Sequence, residues 1–121
     1  MYERTDLQFL QDILESIDAS LEFVAGCDLK TFTSDRKTKS ATIRELEIIG
    51  EAASRISSVI KEIYPAVPWR LMKDFRNVLS HEYFGVNEEV VLDIVQQKLP
   101  NLKVQIKEIV LLENKKEKAD F

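Results

Sequence analysis

One cysteine, Cys27, one histidine, His81, three glycines and three prolines are all that 121 residues contain of these types. A single cysteine excludes a disulfide within the chain and a cysteine-built zinc site, and it suits a reducing compartment. A single histidine excludes a two-histidine metal site within one chain. The start, Met1-Tyr2-Glu3-Arg4-Thr5-Asp6, has no basic segment followed by an apolar signal core. No run approaches the roughly 18 apolar residues of a membrane span. The expectation is a cytoplasmic protein without a membrane segment. Excess positive charge is missing as well: 17 Lys and Arg face 21 Asp and Glu, a net charge of −4. This argues against a sequence-blind binder of nucleic-acid backbones, which needs a basic surface, but leaves room for a local patch. Arg36, Lys37, Lys39 and Arg44 read equally well as such a patch or as a solvated face.

What is present is apolar residues at 45% and charged residues at 31%, an ordinary globular mixture. With so little glycine and proline, helices are the default. Thr5 with Gln8 forms a capping box, and Leu7, Leu10, Leu14, Ile17, Leu21 and Val24 recur at steps of three and four up to Gly26. Gly26 to Thr33 reads as a loop. Ser34-Asp35 starts a second helix whose seam, Leu46, Ile49, Ala53, Ile56, Ile60 and Ile63, runs without a break to Tyr64-Pro65. Its first turns (Arg36 to Lys39) lack an apolar stripe and are expected to project beyond the core. Pro68 opens a third helix reaching about Phe84, with Gly85 as its stop. Asn87 caps a fourth, with Glu88 and Glu89 complementing its dipole and Val91, Ile94, Val95 and Leu99 as its apolar face. Pro100 either kinks this helix or starts another, which Leu102, Ile106, Ile109 and Val110 carry onward. No segment alternates with period two, so no sheet is expected. The fold class is all-α, an up-and-down bundle of four to five helices. Residues 1–113 form the single domain, and 114–121 are a charged tail expected to fray.

The third helix carries the chemistry. At about 100° per residue, Met72, Leu79, Phe75, Leu71 and Val78 fall on one arc, which reads as the core face. Tyr83, Arg76, Ser80, Lys73, Asn77 and His81 fall on another. That polar arc holds no acid, whereas a merely solvated face normally mixes both signs. A histidine titrating near neutrality beside a permanent cation is suited to acid–base chemistry on a phosphate.

Arg76, four residues, His81, one residue and Tyr83 reproduce R-x4-H-x-Y, with Asn77 directly after the arginine. Leu46-Glu47-Ile48-Ile49-Gly50-Glu51-Ala52-Ala53 and Pro68-Trp69 add to the likeness. The chain thereby resembles the HEPN ribonucleases, specifically the HepT-like toxins. The resemblance implies a helical bundle, metal-independent RNA cleavage without a cofactor, and a homodimer whose motif helices meet in a cleft. Arg76 and His81 are then the catalytic pair, with Asn77, Ser80 and Lys73 in support. The dimer also answers a geometric difficulty, since Arg76 and His81 point about 140° apart on one ideal helix. The resemblance further implies a partner, an MNT-type nucleotidyltransferase antitoxin, that transfers AMP to Tyr83.

Plainer roles stand beside these. Arg76 can pair with Glu51 or another acid between helices. His81 can be a helix C-terminal cation, and Tyr83 can simply pack. Glu51 reads as structural, and Trp69 and Met72 as core or dimer contacts. Two alternative functions follow: a catalytically silent helical subunit that binds a nucleotidyltransferase, and a plain helical interaction protein.

Overall fold

The computed structural model describes residues 4–80 and 87–119, and at 77–80 the backbone alone. All regular structure among the described residues is helical. The elements are α1 (Asp6–Phe23), α2 (Leu29–Ser34), α3 (Arg36–Arg55), α4 (Ser58–Ile63), α5 (Trp69–Ser80), α6 (Glu88–Asp93), a π-helical turn (Ile94–Lys98) and α7 (Leu99–Ala119). This is the expected all-α class. Among the described residues, no helix is long and apolar enough to cross a membrane.

Local chemistry fixes most helix starts. Thr5 and Gln8 close the capping box reciprocally at α1. Asp28, Asp35, Ser57 and Asn87 each accept a backbone N–H three residues on, capping α2, α3, α4 and α6. After α1, Gly26 takes φ +74°, a left-handed conformation that side chains with a Cβ resist.

α1 and α3 are the inner pair: α3 packs on α1 and α5, and α1 packs on α3 and α7. Leu10, Ile13 and Ile17 of α1 and Leu46 and Ile49 of α3 are fully buried. Val91, Val95, Leu99 and Ile106 complete the same core from the C-terminal third. Each such side chain contributes about 1.5–3 kcal/mol relative to exposure. The buried hydroxyls of Ser20 and Thr42 donate to the carbonyls of Ser16 and Thr38, one turn back in their own helices.

Several expectations need correction. Gly26 to Thr33 is not wholly a loop, because Asp28 nucleates α2, whose Phe32 is buried. The seam from Leu46 to Ile63 is not one helix. Ile56 turns extended and ends α3, and Ser57 caps α4. The Ser57 N–H and hydroxyl both donate to Asp6, at 2.8 and 2.6 Å, pinning this junction to the start of α1. Ile56 and Ile60 stay buried across the break, whereas Ile63 is exposed. Thr38 and Lys39 do not project freely, since they are half-buried and Lys39 pairs with Glu88 of α6 at 2.8 Å. Pro68 precedes α5 rather than opening it, and its carbonyl accepts from Met72.

Of the two expectations for Pro100, the structure agrees with the second: α7 begins at Leu99, with the proline as its second residue. The turn before it widens to π geometry, with Leu99 N–H reaching back to Ile94, and α7 follows directly. Widening relieves the clash of a proline ring with the preceding turn and absorbs its missing donor. Residues 114–119, expected to fray, belong to α7. The Tyr64 hydroxyl donates to Glu113 at the base of that segment. The expected end of the third helix at Phe84 and Gly85 lies outside the described residues.

Candidate active site on the α3–α5 edge

Met72 and Phe75 turn inward from α5 and are buried, and Trp69 is buried at its start with its indole N–H donating to the Tyr64 carbonyl. Trp69 and Met72 are therefore core, and offer no ground for a dimer contact. Leu71, expected inside, is 38% exposed. Arg76 sits at the outer margin of the helix, where α5 crosses α3.

That crossing is close because position 50 has no side chain. A Cβ on Gly50 would lie 2.9 Å from both the Cβ and the backbone nitrogen of Arg76, and 3.0 Å from the Met72 carbonyl oxygen. Two of these are backbone atoms, so one helix would have to move. A glycine in mid-helix costs roughly 1 kcal/mol against alanine. Here it lets the α5 backbone rest directly on α3, and so fixes where the Arg76 side chain begins.

The next residue of α3 meets the guanidinium. Arg76 Nη1 donates to Glu51 Oε2 at 2.7 Å, and Arg55 Nε donates to Glu51 Oε1 at 3.0 Å. One carboxylate thus bridges two arginines. The hydrogen bond from Arg55 and then that from Arg76 hold the Glu51 carboxyl below the usual glutamate range, outweighing a small opposing desolvation. Arg76 remains about half exposed, and its pair with Glu51 is accessible to water. The pairing foreseen as the plain role of Arg76 is therefore present, yet the guanidinium is presented at the surface. It lines an open groove of about 460 Å³ between the start of α1, α3 and α5.

The other motif residues fare unevenly. Lys73 is exposed one turn before Arg76 and does not line the groove. Asn77 and Ser80 belong to the last turns of α5, their side chains outside the described atoms. His81 and Tyr83 lie outside the described residues. Among the described side chains, the structure brings Arg76 together with Glu51 and Arg55 and with no other motif residue.

Comparison with known proteins agrees with the motif. The family model "Ribonuclease HepT-like" matches residues 13–109. The chain belongs to the HepT-like ribonuclease family. Membership places it among ribonucleases and accounts for the helical fold. A Methanocaldococcus jannaschii protein named "Putative RNase MJ0127" is 42% identical over 102 residues, covering 84% of each chain. A Thermococcus cleftensis protein named "Probable ribonuclease HepT" is 41% identical over 101 residues, covering 84% of this chain and 92% of its own. No solved structure matches the chain.

Sequence reasoning missed the role of Gly50 and the participation of Arg55. A lone glycine inside an otherwise unbroken helical pattern is the signal that could have marked the close crossing. Arg55 carries a signal too, its i,i+4 spacing from Glu51 on one helix face, but only the tertiary fold adds Arg76 to the same carboxylate. Of the residues weighed as a basic patch, Arg44 lines the groove, whereas Lys39 is tied to Glu88.

Proposed function

We propose that this HepT-like ribonuclease is the toxin of a toxin–antitoxin pair, cleaving RNA without a metal ion in the cleft of a homodimer. The observation that carries the reading is Arg76, held at an open edge by the Gly50 contact with its guanidinium in reach of solvent. RNA supplies its own nucleophile, the 2′-hydroxyl beside the scissile phosphate. The 2′-oxygen forms a bond to phosphorus, the bond to the 5′-oxygen breaks, and the products are a 2′,3′-cyclic phosphate and a 5′-hydroxyl. His81 moves the protons, removing one from the 2′-hydroxyl or delivering one to the leaving oxygen. In a dimer, two copies of His81 can divide those tasks. Arg76 stabilises the charge that gathers on the phosphorane, which replaces Glu51 as its anionic partner. Asn77, Ser80 and Lys73 support substrate or histidine.

The antitoxin is a nucleotidyltransferase of MNT type. The Tyr83 hydroxyl attacks the α-phosphorus of ATP, pyrophosphate leaves, and the attached AMP occludes the RNA phosphate site by bulk and charge.

Purified chain should cut single-stranded RNA in EDTA and sediment at about twice its chain mass. Arg76→Ala and His81→Ala should each lose activity about 100-fold or more while melting like the wild type. Loss of activity in EDTA with recovery in Mg²⁺ refutes the reaction class, and full activity as a monomer refutes the cleft. Tyr83→Phe should escape silencing by the partner, and wild type co-expressed with it should gain AMP mass on the Tyr83 peptide. One observation favours a second reading: Arg76 is already engaged by Glu51, as in a silent subunit that only binds the nucleotidyltransferase. That subunit would fail to cut RNA as a purified dimer.

A further inference from the structure

The groove beside Arg76 is unlike the rest of this acidic chain. Four arginines line it, Arg4, Arg44, Arg55 and Arg76, against three carboxylates. Every one of these arginines has a carboxylate partner. Arg4 meets Asp12 at 2.5 Å, Arg44 meets Glu47 at 3.4 Å, and Arg55 shares Glu51 with Arg76. The side chains of Arg44 and Arg55 are 70% and 61% exposed. Solvated pairs of this kind contribute little to stability. A planar guanidinium fork paired so weakly at the groove wall can exchange its carboxylate for a phosphate at little cost.

The groove also carries an aromatic surface. Phe9, in the second turn of α1, lines it, and the Arg4 guanidinium lies 5.6 Å from the centre of its ring. Phe9 is only partly buried. A ring face that attracts a guanidinium also accepts an unstacked base, and arginine beside an aromatic ring is the usual furniture of single-strand binding. A duplex keeps its bases stacked and has no use for such a face.

We infer that this groove is the track for the single-stranded RNA flanking the cut, with Arg4 and Arg44 neutralising phosphates away from the scissile one and Phe9 stacking a base. The inference rests on the ribonuclease reading and extends it to substrate class. It also reconciles a net charge of −4 with an RNA substrate. Affinity depends on the few cations that face the strand, and the remaining surface can stay acidic.

The test uses the full chain and a fluorescein-labelled, 2′-O-methyl single-stranded oligonucleotide, which binds but cannot be cut. Anisotropy titrations across a salt series should show Arg4→Gln and Arg44→Gln each raising Kd several-fold and flattening the slope of log affinity against log salt by about 0.7. Phe9→Leu, which keeps apolar bulk, should raise Kd about tenfold at unchanged slope. Lys107→Gln, an exposed substitution on α7 away from the groove, should change neither. With cleavable RNA, the defects of the three groove variants should be large on a long strand and shrink on a dinucleotide. Wild-type cleavage with variants that match it on the long strand overturns the groove alone. A Lys107→Gln effect as large as that of Arg44→Gln, or equal affinity for a duplex of the same sequence, overturns it too. Wild type that neither binds nor cuts RNA overturns the ribonuclease reading with it.

Discussion

The α1–α3 seam and the α3–α5 edge are built from the same helix on opposite principles. On the first, Leu10, Ile13, Ile17, Leu46 and Ile49 are shut from solvent, and close contact comes from many interchangeable methyl groups. On the second, close contact comes from a missing atom at Gly50, and what lies beyond it is Arg76, Glu51 and Arg55 in reach of water. The seam supplies stability through buried apolar area. The edge supplies little stability, but it fixes the backbone and Cβ from which the Arg76 guanidinium extends. A helix shared between them transmits the rigidity of the first to the second.

Four substitutions can break or sharpen that contrast. Ile17→Ala, in the seam, should cost about 2–5 kcal/mol in chemical denaturation, while the folded fraction cuts RNA at the wild-type rate. Gly50→Ala should cost less, about 1–3 kcal/mol, because the helices must separate. Its activity should nevertheless fall roughly 100-fold, since a misplacement near 1 Å is enough for that. A fully active Gly50→Ala would mean that the close crossing does not position Arg76. Asp6→Ala removes the acceptor of both Ser57 hydrogen bonds and should lower stability by about 1–2 kcal/mol, with kcat unaffected. Glu51→Gln should be the mildest, under about 1 kcal/mol, because its ion pairs are exposed.

The last substitution also has a pH signature. The Glu51 carboxyl is held below its ordinary range, chiefly by Arg55 and then by Arg76. The folded state therefore binds this proton less readily than the unfolded chain. The stabilisation is fully present above the unfolded value of about 4.3, and is lost as pH falls through the lower folded value. Melting temperature followed from pH 6 downward should drop slightly more steeply in wild type than in Glu51→Gln. Identical profiles would show that the bridging carboxylate contributes nothing to folding.

Much of the fold was legible because its causes are local. A capping box needs only Thr5 and Gln8, and the caps at Asp35 and Asn87 need only a short polar side chain before an apolar pattern. The break at Ser57 was hidden because the seam keeps its period across it, and the residue that stabilises the break, Asp6, is 51 positions away. The Pro100 turn was ambiguous because a proline can be absorbed by a π turn only when the helix on both sides is held by packing. Leu71 and Ile63 are apolar and exposed, and periodicity cannot distinguish a position facing a neighbour from one facing water.

The sequence by itself determined the helical class, the starts of α1, α3 and α6, and the R-x4-H-x-Y motif that carries the family resemblance. These depend on residue type and on spacing within a few turns. Only the tertiary structure decided that Arg76 rests against Gly50, that Glu51 bridges it to Arg55, and that Arg4, Phe9 and Arg44 face the same groove. Apart from the one-turn pair of Glu51 and Arg55, those contacts join segments tens of residues apart. They depend on how closely two helix backbones approach, a distance set by the packing of the whole core and by a single absent Cβ.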